Sequence, residues 1–487
     1  MSTDHLAADL SGLVKAYDVR GTYPDEFSVP VARALGAAFA EVVVRPEAEG
    51  RPAIVIGNDM RPSGPELVEA FASGAAERGV DVVLIGLCST DGLYHASGVL
   101  DLPGAMFTAS HNPAQYNGIK LCRAGARPVS EDSGLVELRV LAERILAGEA
   151  LAPVAEPGSV TRREMLAEYA AFLRGLVDLS AIRPLKVVVD AGNGMAGLTV
   201  PAVLGTEAGL PALALEVVPL FFELDGTFPN HEANPLEPEN LRDLQAAVVE
   251  HGADLGLAFD GDADRCFVVD ERGEPVNPSA VTALVGLAEV EREKAEGREP
   301  VIIHNLITSR VVPDLVTAAG GRTVRTRVGH SFIKAQMAEH GAVFGGEHSA
   351  HYYFRDFFYA DTGMLAALHV LAALGASDLA LSELAEVFQP YVSSGEINSR
   401  VADVAAARAR VHEAYVTQRG GGEVEVDELD GLTVSHWDSH PRWWFNLRAS
   451  NTEPLLRLNV EAADEDIMVK VRDDVLGLVR AEGEETR

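Results

Sequence analysis

The sequence predicts an α/β protein of three similar α/β domains with mixed or parallel sheets, followed by a smaller C-terminal α+β domain. Apolar runs typical of β-strands alternate with helical patterns, which favours largely parallel sheets. The pattern restarts several times along the chain. The runs that restart it span residues 53–57, 186–190, 255–259 and 301–303. Towards the C-terminus the pattern changes to short strands separated by turns, such as 432–437 and 443–447.

The first of these α/β repeats illustrates how each element is predicted. Residues 53–57 (AIVIG) predict a strand, an Ala-rich segment from about Pro65 to Arg78 predicts a helix, and 80–85 (VDVVLI) predicts a second strand. The longest apolar segment, Met364 to Gly375, is too short to span a bilayer and predicts a buried core helix.

Domain boundaries are predicted at polar, proline-containing stretches near 150–160, 270–280 and 388–396. A chain of 487 residues is too long for one ordinary core. The predicted domains therefore span residues 1–153, 154–275, 276–390 and 391–487.

Composition restricts the class of partner. The formal net charge of −33 repels nucleic acid and anionic lipid, so neither is expected as a partner. Three cysteines and the absence of a basic, apolar leader predict a cytoplasmic protein without a disulfide framework. An anionic small substrate would need a local cluster of Arg and Lys.

A serine in the segment Thr108-Ala-Ser110-His111-Asn112-Pro113 is predicted to lie on a loop after a strand. Pro113 has no backbone N–H, which keeps the loop out of regular structure. Such a serine can be a nucleophile, and Lys120 can exchange a proton if neighbouring cations depress its pKa. The alternative is that Ser110 only makes hydrogen bonds within a turn.

Three carboxylates at alternate positions, Asp260, Asp262 and Asp264, can converge on a hard cation such as Mg²⁺ or Ca²⁺. An EF-hand is excluded because Arg265 stands where its loop requires glycine and because the flanking segments resemble strands. Arg265 can supply a second positive contact to a phosphate.

The segment Gly192-Asn-Gly194-Met-Ala-Gly197 fits the dinucleotide pattern G-x-G-x-x-G, with Glu216 near the expected acidic position. It supports a competing prediction of a nicotinamide dehydrogenase. A single match of this kind is weak, because any tight strand-to-helix turn recruits glycine.

Two further segments carry groups suited to a sugar phosphate. In 345–351 (GGEHSAH), Glu347 and Ser349 lie two residues apart, and in an extended loop they would reach adjacent sugar hydroxyls. The segment that runs from Arg448 to Arg457 contains a guanidinium, hydroxyls and an amide that can surround a phosphate.

These strings together resemble the α-D-phosphohexomutase superfamily. The matching strings are AYDVRG, TASHNP, DGDADR, GHSFIK, GEHS and RASNTEP, in family order. The resemblance implies four domains around a central cleft, each supplying one loop, and a turn at Gly192–Gly197 that binds no nucleotide. The family usually has glycine at the position of Ala263, so we expect a slightly different backbone there.

The resemblance also implies residue roles. The catalytic set is Ser110, His111, Lys120, Arg20 and His330, with Ser110 carrying the phosphoryl group and Lys120 as general base. The substrate-binding set is Tyr17, Arg265, Lys334, Glu347, Ser349, Arg448, Ser450, Asn451, Thr452 and Arg457. The metal set is Asp260, Asp262, Asp264 and a phosphoryl oxygen on Ser110, with Mg²⁺ as the ion.

The predicted function is a phosphohexomutase that interconverts hexose 1-phosphate and hexose 6-phosphate through a hexose 1,6-bisphosphate, which also acts as activator. Mannose is the first expected sugar and glucose a second one. The alternatives are a phosphoglucosamine mutase, a metal-dependent sugar-phosphate phosphatase, the dehydrogenase above, and a non-catalytic sugar-phosphate binding protein. The expected assembly is a monomer or homodimer.

Overall fold

The structure is a computed structural model that describes residues 9–418, 424–449 and 455–481, except the side chains at 330 and 331. The chain divides into two compact units. The first comprises Met1–Val276, Met337–Phe344 and Ser349–Leu384. The second comprises Asn277–Gln336, Gly345–His348 and Ala385–Arg487. The described residues form three mixed sheets, each combined with helices, and a fourth, antiparallel sheet near the C-terminus. This architecture confirms the predicted fold class.

The N-terminal part of the first unit is a mixed seven-stranded sheet flanked by helices, with strand order β1-β5-β4-β2-β3-β7 and β6 paired to β5. Its strands are β1 (Val19–Thr22), β2 (Ala53–Asn58), β3 (Asp81–Leu87), β4 (Gly104–Phe107), β5 (Tyr116–Arg123), β6 (Arg127–Pro128) and β7 (Val160–Arg162). Its helices are α1 (Val29–Phe39), α2 (Arg45–Glu47), α3 (Gly64–Ala76), α4 (Thr90–Leu100) and α5 (Leu135–Leu146).

In this sheet β2, β3, β4 and β7 run parallel, whereas β5 runs antiparallel to both β1 and β4. One face packs against α1, α3 and α5 through a cluster of buried apolar residues that includes Phe39, Phe71 and Phe107. The predicted strands at 53–57 and 80–85 and the helix between them are confirmed within two residues at each end.

A second sheet of the first unit has the order β12-β11-β10-β8-β9. Its elements are α6 (Leu166–Leu176), β8 (Leu185–Asp190), α7 (Ala196–Val203), β9 (Leu215–Leu220), α8 (Arg242–His251), β10 (Leu255–Phe259), β11 (Cys266–Asp270) and β12 (Pro275–Val276). Strands β8, β9 and β10 are parallel and β11 returns antiparallel to β10. The segment that joins β10 to β11 therefore lies between two strands, as predicted.

The residues from Pro278 to Glu386 contribute to both compact units. Their elements are α9 (Pro278–Ala295), β13 (Val301–Asn305), α10 (Val311–Ala318), β14 (Arg322–Thr326), α11 (His330–His340), β15 (Phe344–Gly346), β16 (Tyr352–Phe354), β17 (Ala360–Asp361), α12 (Gly363–Gly375) and α13 (Leu381–Glu386). In the second unit β13 pairs in parallel with β14, and in the first unit β16 pairs antiparallel with β17. Helix α12 is buried over most of its length, which confirms the predicted core helix.

The rest of the second unit is an antiparallel sheet with the order β18-β22-β21-β20-β19. Its elements are β18 (Val392–Arg400), α14 (Val404–His412), β19 (Glu425–Asp427), β20 (Leu432–His436), β21 (Trp443–Ala449), β22 (Leu455–Ala462) and α15 (Glu465–Arg480). Buried side chains of α14, α15, β20, β21 and β22 form one hydrophobic cluster. Among the described residues, no helix combines the length and apolarity needed to cross a membrane.

Candidate active site

The predicted nucleophile lies on the loop between β4 and β5. Ser110 is buried, with 4% of its surface exposed, and its φ of 50° lies in the left-handed region. That conformation costs a non-glycine residue about 1–2 kcal/mol, so surrounding contacts must maintain it. The Ser110 hydroxyl donates to Asp260 Oδ2 at 2.8 Å and lies 3.2 Å from His111 Nδ1. The nucleophile loop therefore meets the acidic loop through the serine hydroxyl itself.

A buried arginine that the sequence analysis did not identify holds this loop. The guanidinium of Arg61 donates to the backbone carbonyl oxygens of Ser110 at 3.0 Å and Asn112 at 2.6 Å. It also donates to those of Pro113 and Tyr116, both at 2.9 Å. The planar, five-donor guanidinium can serve several carbonyl groups in a fixed geometry. Arg61 thus fixes the backbone from Ser110 to Tyr116.

The position of Arg61 follows from the sheet. Strands β2 and β4 are parallel neighbours, with Asn58 opposite Phe107, so the segments after both strands emerge at the same edge. Asp59 forms an ion pair with Arg61 at 3.3 Å, and both side chains are fully buried. The sequence signal was a charged pair, Asp59 and Arg61, directly after an apolar strand.

Replacing Arg61 with lysine is expected to remove most of these carbonyl contacts, because one ammonium group cannot reach them together. We expect the free energy of unfolding to fall by about 3 kcal/mol. We also expect kcat to fall about 100-fold through displacement of Ser110. Thermal unfolding and turnover should be measured beside Arg174→Lys, whose guanidinium donates to two carbonyls, of Val203 and Pro211, in the same unit. Equal effects of both substitutions on kcat would contradict the assigned role of Arg61.

The three aspartates of the acidic loop are all buried, and one carboxylate oxygen from each lies within 4.8 Å of the other two. Asp262 Oδ1 and Asp264 Oδ1 are inaccessible to solvent and have no hydrogen-bond partner. Burial and the neighbouring Asp262 raise the pKa of Asp264. Converging carboxylates with orphaned buried oxygens fit a hard divalent cation such as Mg²⁺.

Lys120 occupies a different electrostatic environment from the one predicted. Its Nζ lies 2.7 Å from Asp262 Oδ2 and 2.5 Å from Asp264 Oδ2. Burial alone would lower the pKa of Lys120, but these two carboxylates outweigh burial and hold the pKa well above its usual value. The condition stated for proton exchange, a pKa depressed by neighbouring cations, is therefore not met, because the nearest charged groups are anions, and the role of Lys120 as general base stays a prediction. In this arrangement Lys120 is a cation that partly neutralises the acidic loop.

Arg265 connects the acidic loop with His111. Its guanidinium contacts Asp260 Oδ2 at 2.8 and 2.9 Å and His111 Nδ1 at 2.6 Å. Because guanidinium only donates, His111 Nδ1 accepts and the ring proton lies on Nε2. Burial first, and then Arg265 and Arg20, lower the pKa of His111 to about 2. His111 is consequently neutral and acts here as a hydrogen-bond acceptor.

The N-terminal motif also reaches the nucleophile loop. Arg20 lies on β1 and donates to Asn112 Oδ1 and to Asp18 Oδ2, both at 2.6 Å. Tyr17 is 42% exposed. The structure thus brings Arg20 to the serine loop, while Tyr17 presents its ring to solvent.

Two backbone features allow the acidic loop to approach the serine. A Cβ added at Gly261 would lie 2.5 Å from the carbonyl oxygen of Ser110, so only glycine permits this separation. Ala263 adopts a φ of 59°. The loop therefore reaches the left-handed conformation in spite of the alanine, whose Cβ makes that conformation less favourable.

The glycine turn after β8 packs against the acidic loop. A Cβ at Gly194 would lie 2.7 Å from the carbonyl oxygen of Gly261, and Met195 N donates to that same oxygen at 2.9 Å. Glu216 pairs with Lys186 at the opposite, N-terminal end of the parallel strands. A dinucleotide site would need its acidic residue at the C-terminal edge of these strands, so Glu216 is at the wrong edge of the sheet. The glycines instead allow the turn to pack closely against the acidic loop.

A histidine outside the predicted set also contacts the acidic loop. His351 Nδ1 lies 3.1 Å from Asp361 Oδ2 and 3.9 Å from Asp264 Oδ1. Burial lowers the pKa of His351, but Asp264 and Asp361 outweigh it and raise the pKa. The sequence signal was the second histidine of GGEHSAH.

In the second unit, the predicted sugar-binding carboxylate is buried. Glu347 Oε1 accepts from Asn305 Nδ2 at 3.0 Å and from the backbone N–H of Gly329 at 3.4 Å. Lys334 is buried as well. The contact with Gly329 connects the Glu347 segment to the start of the GHSFIK motif, whose His330 side chain lies outside the described residues.

The backbone after Glu347 differs from the expectation. Residues 348–349 form a turn rather than an extended segment, and Ala350 has a φ of 63°. Ser349, in this turn, is half-buried. The turn begins where β15 ends, so alternation of side chains along an extended chain does not apply to Glu347 and Ser349.

The predicted phosphate-binding arginines share one carboxylate. Arg448 on β21 lies opposite Arg457 on β22 in the sheet register. Their guanidinium groups contact Glu396 of β18 at 2.7 and 3.3 Å. The Nε atoms of both arginines are buried without a hydrogen-bond partner, which fits an anion such as phosphate. Ser450, Asn451 and Thr452, in the connection between the two strands, lie outside the described residues.

The sequence matches all four domains described for one family. Residues 11–141, 167–273 and 277–391 match the phosphoglucomutase/phosphomannomutase alpha/beta/alpha domains I, II and III. Residues 396–478 match the C-terminal domain of the same family. The exact boundaries at 153, 275 and 390 remain predictions.

Relatives match over nearly the whole chain. A phosphomannomutase of Salmonella typhimurium is 42% identical over 95% of this chain and 97% of its own length. Phosphohexose mutases of Xanthomonas campestris pv. campestris are 41% identical over 96% of this chain and 98% of theirs. A solved structure of a phosphoglucomutase/phosphomannomutase family protein from Burkholderia thailandensis has a TM-score of 0.82 and 32% identity, covering 97% of this chain and 98% of that one. The chain belongs to the phosphoglucomutase/phosphomannomutase family.

Proposed function

We propose that this phosphohexomutase interconverts mannose 1-phosphate and mannose 6-phosphate, with glucose phosphates as a second substrate pair, through a phosphorylated Ser110. The observation that carries the proposal is the Ser110 hydroxyl, hydrogen-bonded to Asp260 of the acidic loop and held in a left-handed conformation by the Arg61 contacts. A positioned nucleophile beside a cation-binding cluster is the main requirement of phosphoryl transfer.

The reaction consists of two transfers. In the first, the bond between Ser110 Oγ and phosphorus breaks while the 6-hydroxyl oxygen of a hexose 1-phosphate bonds to the phosphorus, and the hydroxyl proton passes in net terms to Ser110 Oγ, which gives hexose 1,6-bisphosphate. In the second, after the bisphosphate has turned over, the bond between the 1-oxygen and phosphorus breaks while Ser110 Oγ bonds to the phosphorus, and the serine proton returns to the 1-oxygen, which gives hexose 6-phosphate. No phosphate is lost over the cycle, so an external 1,6-bisphosphate is needed only to phosphorylate Ser110 initially.

With a divalent cation bound, the charges around Ser110 would suit a group with several negative oxygens. Arg265, Lys120 and the cation together would then outweigh the three carboxylates of the acidic loop. We assign Asp260, Asp262 and Asp264 as ligands of Mg²⁺, together with a phosphoryl oxygen on Ser110. When bound, Mg²⁺ would neutralise charge that develops on the transferring group.

The phosphate that does not react requires a separate site. We assign this role to Arg448 and Arg457, whose buried, unpartnered Nε atoms support an anion site. Glu396 occupies both guanidinium groups in this structure and would be displaced by the substrate phosphate. The loop 450–454 completes this site in the proposal, and Glu347 and Ser349 are assigned to the sugar hydroxyls.

The sugar preference rests on the relatives. The Salmonella protein is named a phosphomannomutase and the Xanthomonas proteins phosphohexose mutases, which supports mannose with a broader hexose range. The two alternative functions are a phosphoglucosamine mutase and a sugar-phosphate phosphatase. The ³¹P NMR experiment described below distinguishes both from a phosphomannomutase. A cytoplasmic location, consistent with three free cysteines, remains a prediction.

The proposed function is tested by ³¹P NMR of the protein with Mg²⁺ and trace glucose 1,6-bisphosphate, supplied separately with mannose, glucose or glucosamine 1-phosphate. We expect the 1-phosphate signal to be replaced by a 6-phosphate signal without free phosphate, fastest for mannose. Chelation by EDTA should stop the conversion and added Mg²⁺ should restore it. Free phosphate as the main product would identify a phosphatase, and conversion of glucosamine 1-phosphate alone would contradict the sugar assignment.

A further inference from the structure

Asp91 is a fully buried carboxylate near the acidic loop that has no role in the reaction described above. Its hydrogen-bond partners are hydroxyl groups: Tyr169 donates at 2.7 Å, Thr362 at 2.6 Å, and Ser89 donates as well. A buried carboxylate satisfied mainly by hydroxyl groups, together with the backbone N–H of Gly92, is costly and needs a reason in the fold.

The three partners come from three domains. Asp91 and Ser89 lie within the residues that match domain I, Tyr169 within those that match domain II, and Thr362 within those that match domain III. All of them belong to the first compact unit. One carboxylate therefore joins three separately matched parts of the chain.

Two helix N-termini explain why the charge can be buried there. Asp91 lies in the first turn of α4, and Thr362 is the N-cap of α12, where it accepts from the Leu365 N–H at 3.1 Å. The positive ends of helix dipoles stabilise a carboxylate. Burial raises the pKa of Asp91 to about 6 against the hydroxyl hydrogen bonds that lower it, so the carboxylate is largely ionised at neutral pH.

One end of this junction lies next to a residue that contacts the acidic loop directly, and the other end lies next to a residue that reaches the loop through His351. Thr90, next to Asp91, donates through Oγ1 to Asp262 Oδ2 at 2.6 Å and through its N–H to the Asp262 carbonyl at 3.0 Å. Asp361, next to Thr362, is bonded to His351, which lies 3.9 Å from Asp264. Movement at Asp91 would therefore be transmitted to the acidic loop from two sides.

We propose that Asp91 is a positioning residue that ties three domains together through Tyr169 and Thr362 and so sets the separation of the Asp262 and Asp264 carboxylates. The effect on turnover rests on the mutase activity proposed above, whereas the effect on cation binding rests only on the assignment of the acidic loop as the cation site. Asp91 is among neither the assigned cation ligands nor the assigned substrate contacts. Groups that orient metal ligands commonly change metal affinity or activity 10- to 100-fold when removed.

Tyr169→Phe and Thr362→Val each remove one hydrogen bond to Asp91 with little change of volume. Thr362→Val also removes the N-cap acceptor of the Leu365 N–H, so Tyr169→Phe is the more specific of the two substitutions. We expect Mn²⁺, titrated by EPR, to bind about tenfold more weakly to each variant. With hexose 1-phosphate we expect kcat to fall about tenfold while KM for the sugar phosphate changes less than about twofold. Because both act through Asp91, the double variant should lose less than the product of the two single losses.

Tyr415→Phe is a matched control, since the Tyr415 hydroxyl donates to Asp474 at 2.7 Å in the C-terminal domain. It should leave Mn²⁺ affinity and kcat unchanged even if it lowers Tm as much as Tyr169→Phe does. Wild-type Mn²⁺ affinity in both Tyr169→Phe and Thr362→Val would overturn the proposal, whether or not the wild-type protein turns over hexose phosphates. Absence of mutase turnover in the wild type would instead overturn the proposed function.

Discussion

Replacing Ser110 with alanine is expected to reduce mutase turnover by at least about 10⁴-fold, because the phosphoryl group then has no acceptor on the protein. Substrate binding should change little, since the assigned phosphate and sugar contacts lie elsewhere. Steady-state turnover measures the first effect, and calorimetric titration with mannose 6-phosphate measures the second. The loss of the Ser110–Asp260 hydrogen bond also removes one contact between the two loops.

Ser159→Ala is the matched control for this substitution. Its hydroxyl contacts Asp81, another aspartate of the first unit, at an exposed position at the edge of the first sheet. It should retain full turnover. Turnover of the Ser110→Ala variant within tenfold of the wild type would contradict the assignment of the nucleophile.

Replacing Asp262 with asparagine is expected to lower kcat at least about 100-fold, because a direct ligand should matter more than the groups that orient it. Asp262 also accepts from Lys120 and Thr90, so the loss extends to the surroundings of the cation. Mn²⁺ binding, followed by EPR, should weaken in parallel. Excess Mg²⁺ should restore part of the activity if the remaining ligands stay in place.

Asp254→Asn provides the comparison, because Asp254 lies just before β10 whereas Asp262 follows its end. Its carboxylate contacts Arg183 at 2.8 Å at the surface of the same unit. This variant should keep wild-type kcat and Mn²⁺ affinity. Unchanged Mn²⁺ affinity in Asp262→Asn would show that the acidic loop does not hold the cation.

Much of the fold was predictable because its signals are local. The run AIVIG became β2, the run LGLAF became β10, and the segment MLAALHVLAALG became α12. Each is an apolar segment whose length and flanking residues favour one type of element, either a strand or a helix. The strand–loop–strand placement of Asp260 to Asp264 followed from the same kind of signal, because strand-like runs flank it.

The missed parts of the site depend on which strands and helices become neighbours. Arg61 meets the Ser110 loop only because β2 and β4 are adjacent. Glu396 meets Arg448 and Arg457 only through the register of β18, β22 and β21. The spacing of residues along the chain does not predict such contacts.

The direction of the pKa shift at Lys120 could not be predicted for a related reason. The charges nearest to a buried group decide its pKa, and the sequence did not show which charges those are. Strand β5 directs the Lys120 side chain to Asp262 and Asp264, which lie more than a hundred residues later in the chain. The ammonium group is therefore stabilised, and the condition stated for proton exchange is not met.

The central claim, transfer of the phosphoryl group through Ser110, is tested most directly by labelling and chase. The protein is phosphorylated with ³²P-labelled hexose 1,6-bisphosphate, and the label is located by peptide mapping before and after unlabelled mannose 1-phosphate is added. We predict label on the peptide that contains Ser110 and its movement into sugar phosphate within one turnover. Label that stays on the protein, or that leaves as inorganic phosphate, would contradict the account.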